Sequence, residues 1–483
     1  MKVTRRRALF NQRRTSNLYR LFALALFILA GVWLILRLHT GEISNPFDPT
    51  PTSTRTVNSW VMEGEASFNA GDLPAAITAY QEATKVDPNN AEAFAELARI
   101  QAYSSRLLSN DTDRLTRLTE ALQSADQANN IAPEDSNVLA IRAFVLDWNA
   151  DSNLDALRTD GQTAAKLLIQ ADQEALRAIS SNGQNPLALA FYAEILIDEQ
   201  KWTQAEQNIQ PALQLGLQLM DIHRVYAYYL ESNRYYSQAI EEYQQALLIN
   251  PNLTFLYVSI GHNYRTLALN TSPGAQQTDL YNQALDSYAK AVRLNEQLKV
   301  LDPSPYLAIA KTYAQMGQFF AAALNAQKAV SLDPTNADLY GQLGNVYKRG
   351  RNYETAIYAL QCAVDGCTPE ISCKARNGCP AGDAGVTVIP LLLSPRSATY
   401  YLDYGSVLAA FSPQTPRYCD AAVRVLTLLT QTYATDQVIV QNASDGLSIC
   451  ASVIASQTQT PSPITTPAST VATMPTPGYT PRP

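Results

Sequence analysis

The sequence predicts an all-α chain: a solenoid of antiparallel helix pairs preceded by one transmembrane helix. Three observations carry this reading. An unbroken apolar run, LFALALFILAGVWLIL, fills positions 21–36 behind a cluster of arginines. A ladder of small and large residues returns with a period of about 34 residues, the mark of a stacked repeat. An Asp–Pro or Asn–Pro pair closes successive copies, at Asp87–Pro88, Asn250–Pro251 and Asp333–Pro334. Composition agrees, since 46% of the 483 residues are apolar and only 16% charged, which suits many packed interhelical contacts.

The first element is the anchor. Sixteen apolar residues rise about 24 Å as helix, short of a hydrocarbon core of about 30 Å. Arg20 and Arg37 can snorkel to close the gap, so residues 21–38 read as a signal-anchor helix. Residues 1–41 hold eight basic side chains (Lys2, Arg5, Arg6, Arg7, Arg13, Arg14, Arg20 and Arg37) and no acid. That bias places the basic N-terminus, 1–20, in the cytoplasm and the rest of the chain outside it. No A-x-A pattern follows the run, which favours an uncleaved anchor over a signal peptide, although cleavage stays open. Residues 39–56 read as an exposed Pro/Thr linker. Beyond residue 41 the chain carries 28 basic against 43 acidic residues, and that acidic balance argues against a nucleic-acid partner.

The repeats come next, over residues 57–369. One copy runs Trp60, Gly64, Gly71, Ala76, Tyr80, Ala83 and Pro88, and a second His223, Ala227, Arg234, Ala239, Tyr243, Ala246 and Pro251. A third runs Tyr306, Ala310, Gly317, Ala322, Ala326, Ala329 and Pro334, and a fourth Tyr340, Gly344, Arg351, Ala356, Leu360 and Ala363. Small residues let paired helices approach, and large residues at helical spacing fill the neighbouring groove. Gly71 and Gly317 punctuate the turn inside the pair, and the X–Pro step stops the second helix. Less regular copies span Phe94–Pro133, Leu139–Pro186 and Leu189–Leu217, and another joins Tyr257 and Gly261 to Ala284, Tyr288 and Ala291. Extra lengths around Ser104–Asp113 and Asn270–Leu280 read as helix extensions with a polar loop. About eight pairs result. Residues 370–400 are too rich in Pro and Gly to continue the repeat, and their GVTVIPLLL stretch could form a short strand. Residues 401–456 read as a terminal pair, from Tyr401, Tyr404, Gly405 and Leu408, plus a capping helix. Residues 457–483 are a Thr/Pro-rich tail expected to be disordered, with no second hydrophobic span.

All six cysteines lie late: Cys362, Cys367, Cys373, Cys379, Cys419 and Cys450. An even number in an exported domain points to disulfides, with the pairing left open among fifteen arrangements. The loop Cys367–Ser397 is expected to be stapled to its flanking helices through Cys362, Cys419 or Cys450. The zinc alternative lacks a C-x-x-C knuckle and a nearby histidine. Four N-x-S/T sequons occur, at Asn110, Asn252, Asn270 and Asn442.

From Val57 to about Pro369 the ladder resembles the tetratricopeptide repeat family. The resemblance implies a right-handed superhelical solenoid whose first helices line a concave, peptide-binding groove. By register that groove would present Asp221, Arg224, Tyr228 and Glu231, then Phe255, Val258, His262 and Arg265, then Ser304, Leu307 and Lys311, and finally Asp338, Asn345 and Lys348. The family's Lys/Asn/Arg clamp for a terminal carboxylate is not reproduced: Arg224 and Tyr228, or Gly341 and Asn345, stand in its place. The late groove reads as basic, which suits an acidic or polar extended segment. His223 reads as a packing residue, and no catalytic, metal or cofactor motif is present. The expectation is a membrane-anchored, extracytoplasmic scaffold for protein partners, in assembly of an envelope or secretion complex, and not an enzyme. The alternatives are an accessory subunit of an exported or membrane-bound enzyme, and an enzyme with a cryptic site near Asp383 in the loop between Asp365 and Tyr400. Self-association is a further use of such arrays.

Overall fold

A computed structural model describes residues 17–39 and 55–458. Most of the basic N-terminus, the Pro/Thr linker and the Thr/Pro tail lies outside the described residues. The first compact unit is represented by one helix, α1 (Leu18–His39). Its stretch Leu18–Arg37 has a mean hydropathy of 2.2 and is long enough to cross a membrane.

The second unit, from Val57 onward, is a run of antiparallel helix pairs. The pairs are α2 (Val57–Asn69) with α3 (Leu73–Val86), α4 (Ala91–Ser105) with α5 (Asp111–Ile131), and α6 (Ser136–Asn149) with α7 (Ala164–Ser181). Then come α8 (Pro186–Asp198) with α9 (Trp202–Leu215), and α10 (Met220–Ser232) with α11 (Tyr236–Ile249). Next are α12 (Thr254–Leu269) with α13 (Ala275–Leu298), α14 (Ser304–Gln315) with α15 (Phe319–Leu332), and α16 (Ala337–Arg349) with α17 (Tyr353–Val364). A short α18 (Pro369–Ala375) precedes α19 (Ala398–Phe411), α20 (Tyr418–Thr432) and α21 (Gln437–Thr458). The all-helical solenoid expected from the period is thus the observed architecture.

Local chemistry explains the boundaries. Asp72, Asn90, Asp135 and Asn185 cap their helices, each accepting from a backbone N–H two or three residues on. The turn inside several pairs needs one residue in the left-handed region. Gly71 (φ 78°) and Gly317 (φ 75°) fill it in two copies, while Gln200, Arg234 and Arg351 adopt φ of 61–68° in others. The extra lengths lie in the second helices, since α5 has 21 residues and α13 has 24 against 14 in α3 or α11. In the irregular copy a 3₁₀ turn, Ser152–Leu157, separates α6 from α7.

First helices form one layer: α4 packs on α6, α6 on α8, α8 on α10, α12 on α14, and α14 on α16. The apolar core falls into two large blocks. One runs from Phe68 to Ile260 and the other from Ala310 to Cys450, with a small cluster of Ala284, Tyr288 and Ile309 between them.

The late segment departs from expectation in its strand, and its disulfides select one of the open pairings. The GVTVIPLLL stretch forms no strand; the described residues contain a single isolated bridge, Cys367 with Val388. The cysteines pair as Cys362–Cys367, Cys373–Cys379 and Cys419–Cys450. Of the three flanking cysteines only Cys362 reaches the loop, because Cys419 and Cys450 bind α20 to α21. Backbone bonds hold the loop as well: Cys367 and Val388 exchange two at 3.1 and 3.0 Å, and the Leu391 N–H donates to the Ala363 carbonyl at 2.9 Å. Within the terminal helix, Gln437–Ser456 also passes the length and apolarity test for a span. Ala443 and Cys450 on it are fully buried where α21 lies against α19 and α20, whereas Val438, Ile449 and Ile454 are exposed.

Candidate functional site

Inner helices α6, α8, α10 and α12, with residues from α4, α5 and α11, line an open cavity of about 500 Å³. Its floor is a buried polar network. Arg224 on α10 donates two bonds to Glu194 on α8, Nη1 to Oε1 at 2.6 Å and Nη2 to Oε2 at 2.5 Å. The Trp148 indole donates to the same Glu194 Oε1 at 3.0 Å. The Arg224 guanidinium sits 5.5 Å from the ring centres of Tyr103, Phe144 and Trp148. The Tyr103 hydroxyl accepts from Arg224 Nε and donates to Asp221, which also accepts from Arg99 at 2.9 Å. Every member has a partner, which is the condition for a buried charge network to be tolerated.

The walls carry further acids. Asp198 accepts from the Tyr228 hydroxyl at 2.6 Å, and Glu231 accepts from Asn263 Nδ2 at 2.8 Å and the Tyr243 hydroxyl at 3.2 Å. Asp147 is 4% exposed, and neither of its carboxylate oxygens finds a donor among the described residues. Burial, then the charges of Asp198 and Glu194, push its pKa well up. Burial also lifts Asp198, to about 6, against the Tyr228 hydrogen bond. Phe255, Val258 and His262 close the chamber on the α12 side, and the Arg106 guanidinium lies 5.1 Å over the Trp148 ring.

A second chamber of about 270 Å³ follows along α12, α14 and α16 and is basic. Arg265 and Lys311 face it, with Arg396 at its edge ion-paired to Asp111 at 3.1 Å. Burial and then Arg265 pull the Lys311 pKa down, although Lys311 still reaches solvent. The Arg265 Nε has no acceptor among the described residues. His262 borders both chambers. Its Nδ1 lies 2.9 Å from an Arg265 nitrogen that can only donate, so the ring is held neutral with its proton on Nε2, 3.9 Å from Glu231. Burial lowers its pKa in the same direction.

The register-based groove therefore splits. Tyr228, Phe255 and His262 line the acidic chamber, with Glu231 and Val258. Arg265 and Lys311 line the basic one, with Ser304, Leu307 and Asp338. Arg224 is not a groove side chain in the intended sense, because it is 5% exposed and committed to Glu194. Lys348 is not a free positive charge: it pairs with Asp403, which Asn345 also contacts at 2.9 Å. The reason is that α19 packs on α16 and supplies the carboxylate. Asp221 belongs to the buried network. His223 is buried, with Nδ1 2.7 Å from Glu242, whose hydrogen bond raises its pKa. Asp147, Trp148, Glu194 and Asp198 were missed. They sit at the ends of α6 and α8, and the signal was an acidic and aromatic patch, DWNAD at 147–151, closing an otherwise apolar helix.

Among the described residues no group of three acidic, histidine or cysteine side chains is placed to hold a metal. Asp383, at the cryptic-site position, pairs with the largely buried Arg376 side chain at 2.7 Å.

Models of the tetratricopeptide repeat match residues 64–102, 303–336 and 325–358. Anaphase-promoting complex subunit 3 of Schizosaccharomyces pombe is 24% identical over 134 residues, 27% of this chain and 18% of that protein. The chain thus spans under a fifth of that relative's length. Among solved structures, a monomeric mutant of IFIT1 with m7Gppp-AAAA aligns with a TM-score of 0.50 at 16% identity, covering 89% of this chain and 86% of that one. A tetratricopeptide repeat protein of Thermus thermophilus aligns with a TM-score of 0.34 at 19% identity over 43% of this chain and 98% of that one. The IFIT1 likeness is one of fold alone.

Proposed function

The chain is a tetratricopeptide-repeat protein, and on that footing we propose that it is a membrane-anchored scaffold gripping an extended segment of a partner protein. Repeats of this kind are interaction modules that bind protein or peptide partners and are typically non-catalytic. The observation that carries the finer reading is the pair of adjoining chambers on the inner helices. Tyr228, Phe255 and His262 line one chamber, and Arg265 and Lys311 line the next, where Leu307 adds an apolar contact. An extended chain laid across them would meet aromatic surface, carboxylates and free cations in turn. The basic chamber suits an acidic side chain of that segment.

The apolar stretch Leu18–Arg37, with a basic cluster before it, supports a single N-terminal anchor and a repeat array outside the cytoplasm. Three disulfide pairs fit an oxidising compartment, where assembly of an envelope or secretion complex would occur. The test is a crosslinking pull-down from intact membranes with the full-length chain as bait. Recovery of one stoichiometric envelope protein, lost on reversing Arg265 and Lys311, is the expected result. Recovery of the bait alone overturns the reading.

A further inference from the structure

The acidic chamber holds an imbalance that its own residues do not resolve. Five carboxylates face it, from Asp147, Asp151, Glu194, Asp198 and Glu231, against three guanidiniums, from Arg106, Arg114 and Arg224. Two of those cations are already engaged: Arg224 binds Glu194, and Arg114 binds Asp111 and Asp151 at 3.1 and 3.2 Å. Asp147 is the decisive group. It is 4% exposed, lines the cavity, and has no donor on either oxygen among the described residues. Burial holds Asp147 toward its neutral form, which relieves the charge but leaves both oxygens without a hydrogen-bond partner among the described residues, and buried polar groups of native structures have one.

The missing partner has a recognisable chemistry. A metal ion is disfavoured, because no three ligating side chains come together among the described residues. An organic cation suits the lining, on which Asp147 and Asp198 both stand. It can donate to Asp147 and to the second oxygen of Asp198, whose first oxygen takes the Tyr228 hydroxyl. Trp148, Tyr228, Tyr243 and Phe255 line the chamber and surround it with aromatic side chains. The chain displays this affinity itself, since the exposed Arg106 already rests its guanidinium over Trp148 at the chamber rim.

We propose that the acidic chamber is a binding site for the guanidinium or ammonium group of a basic side chain, carried by the partner segment in the groove. The proposal rests on the groove reading above and deepens it. The acidic chamber takes an Arg or Lys of the segment, and the adjoining basic chamber takes an acidic residue further along it.

The test uses the full-length chain in detergent and Trp148 fluorescence, with Trp148→Phe as the background control. The probes are a short blocked peptide with one central arginine, the same peptide with citrulline, free arginine and spermidine. Citrulline keeps the shape of arginine and removes its charge. We expect the arginine peptide to bind, the citrulline peptide to bind at least tenfold more weakly, and Asp147→Asn to weaken the arginine peptide at least tenfold. Asp198→Asn is the second variant, and circular dichroism checks that both remain helical. No binding of the arginine peptide, or equal binding of citrulline, overturns the proposal. So does tighter binding of spermidine or free arginine than of the peptide, which would make the chamber a small-molecule site. In the membrane pull-down, a partner captured equally by Asp147→Asn and the parent sinks this proposal and spares the groove reading. Failure of both proteins to capture any partner sinks the groove reading itself.

Discussion

Arg224 and Glu194 form a two-pronged ion pair across the inner face of α8 and α10, with both side chains about 5% exposed. Removing one member leaves a charge that water cannot reach. Glu194→Gln should lower stability by about 3–5 kcal/mol, read as a shift in the urea midpoint. Replacing both members by apolar residues of similar volume, Glu194→Leu with Arg224→Met, should recover most of that loss. A Glu194→Gln variant as stable as the parent would mean that the pair is solvated in solution.

Asp302 caps α14 through the Ser304 N–H at 2.9 Å, yet burial raises its pKa from 3.8 to about 6. A carboxyl with a raised folded-state value stabilises the fold most when protonated. Its contribution is full below about pH 4 and is lost as the pH rises through about 6. Asp302→Asn should therefore gain stability relative to the parent across that interval, by up to about 3 kcal/mol, and the difference should be flat above pH 7. Paired denaturation curves from pH 4 to 8 decide it, because the other titrating groups cancel. A difference that does not change with pH refutes the assignment.

The three disulfides close loops of unequal length. Cys419 and Cys450 are 31 residues apart, against 5 and 6 for the other two pairs. In the chain-entropy account a loop of that size stabilises by about 3–4 kcal/mol. The joint variant Cys419→Ser with Cys450→Ser should free α21 first, seen as faster amide exchange over Gln437–Ser456 with little change before Arg349. Uniform loosening of the whole array would contradict the block structure of the core.

The fold was legible because the repeat period has a steric cause. A Cβ on Gly261 would stand 2.5 Å from Tyr288 Cε1, and one on Gly64 equally close to Tyr80 Cε2, so the small-then-large spacing is imposed by helix approach. The groove was only partly legible. Register assigned Tyr228, Phe255, His262, Arg265 and Lys311 to the inner helices, but register carries no information on pairing. Lys348 reads like Lys311 in sequence, and only the docking of α19 reveals Asp403 beside it. Arg224 looked exposed because its partners, Glu194 and Tyr103, lie 30 and 121 residues away. Asp147 and Trp148 on α6 and Glu194 and Asp198 on α8 went unseen because the register-based groove began at Asp221 on α10.

That difference between Lys311 and Lys348 yields the sharpest comparison along the groove. Arg265 and Lys311 face open space, whereas Lys348 neutralises a carboxylate that is 8% exposed. Arg265→Glu with Lys311→Glu should weaken capture of an acidic segment at least tenfold, and the loss should shrink at high salt as the charges are screened. Lys348→Ala should leave capture unchanged and instead cost about 1–2 kcal/mol of stability, because Asp403 keeps Asn345 but loses its counter-ion. Binding by fluorescence anisotropy and melting by circular dichroism, on the same three proteins, separate the two effects. If Lys348→Ala weakened capture as much as the double reversal, the Asp403 pair would open on binding, and the basic surface would extend to α16 as the sequence implies.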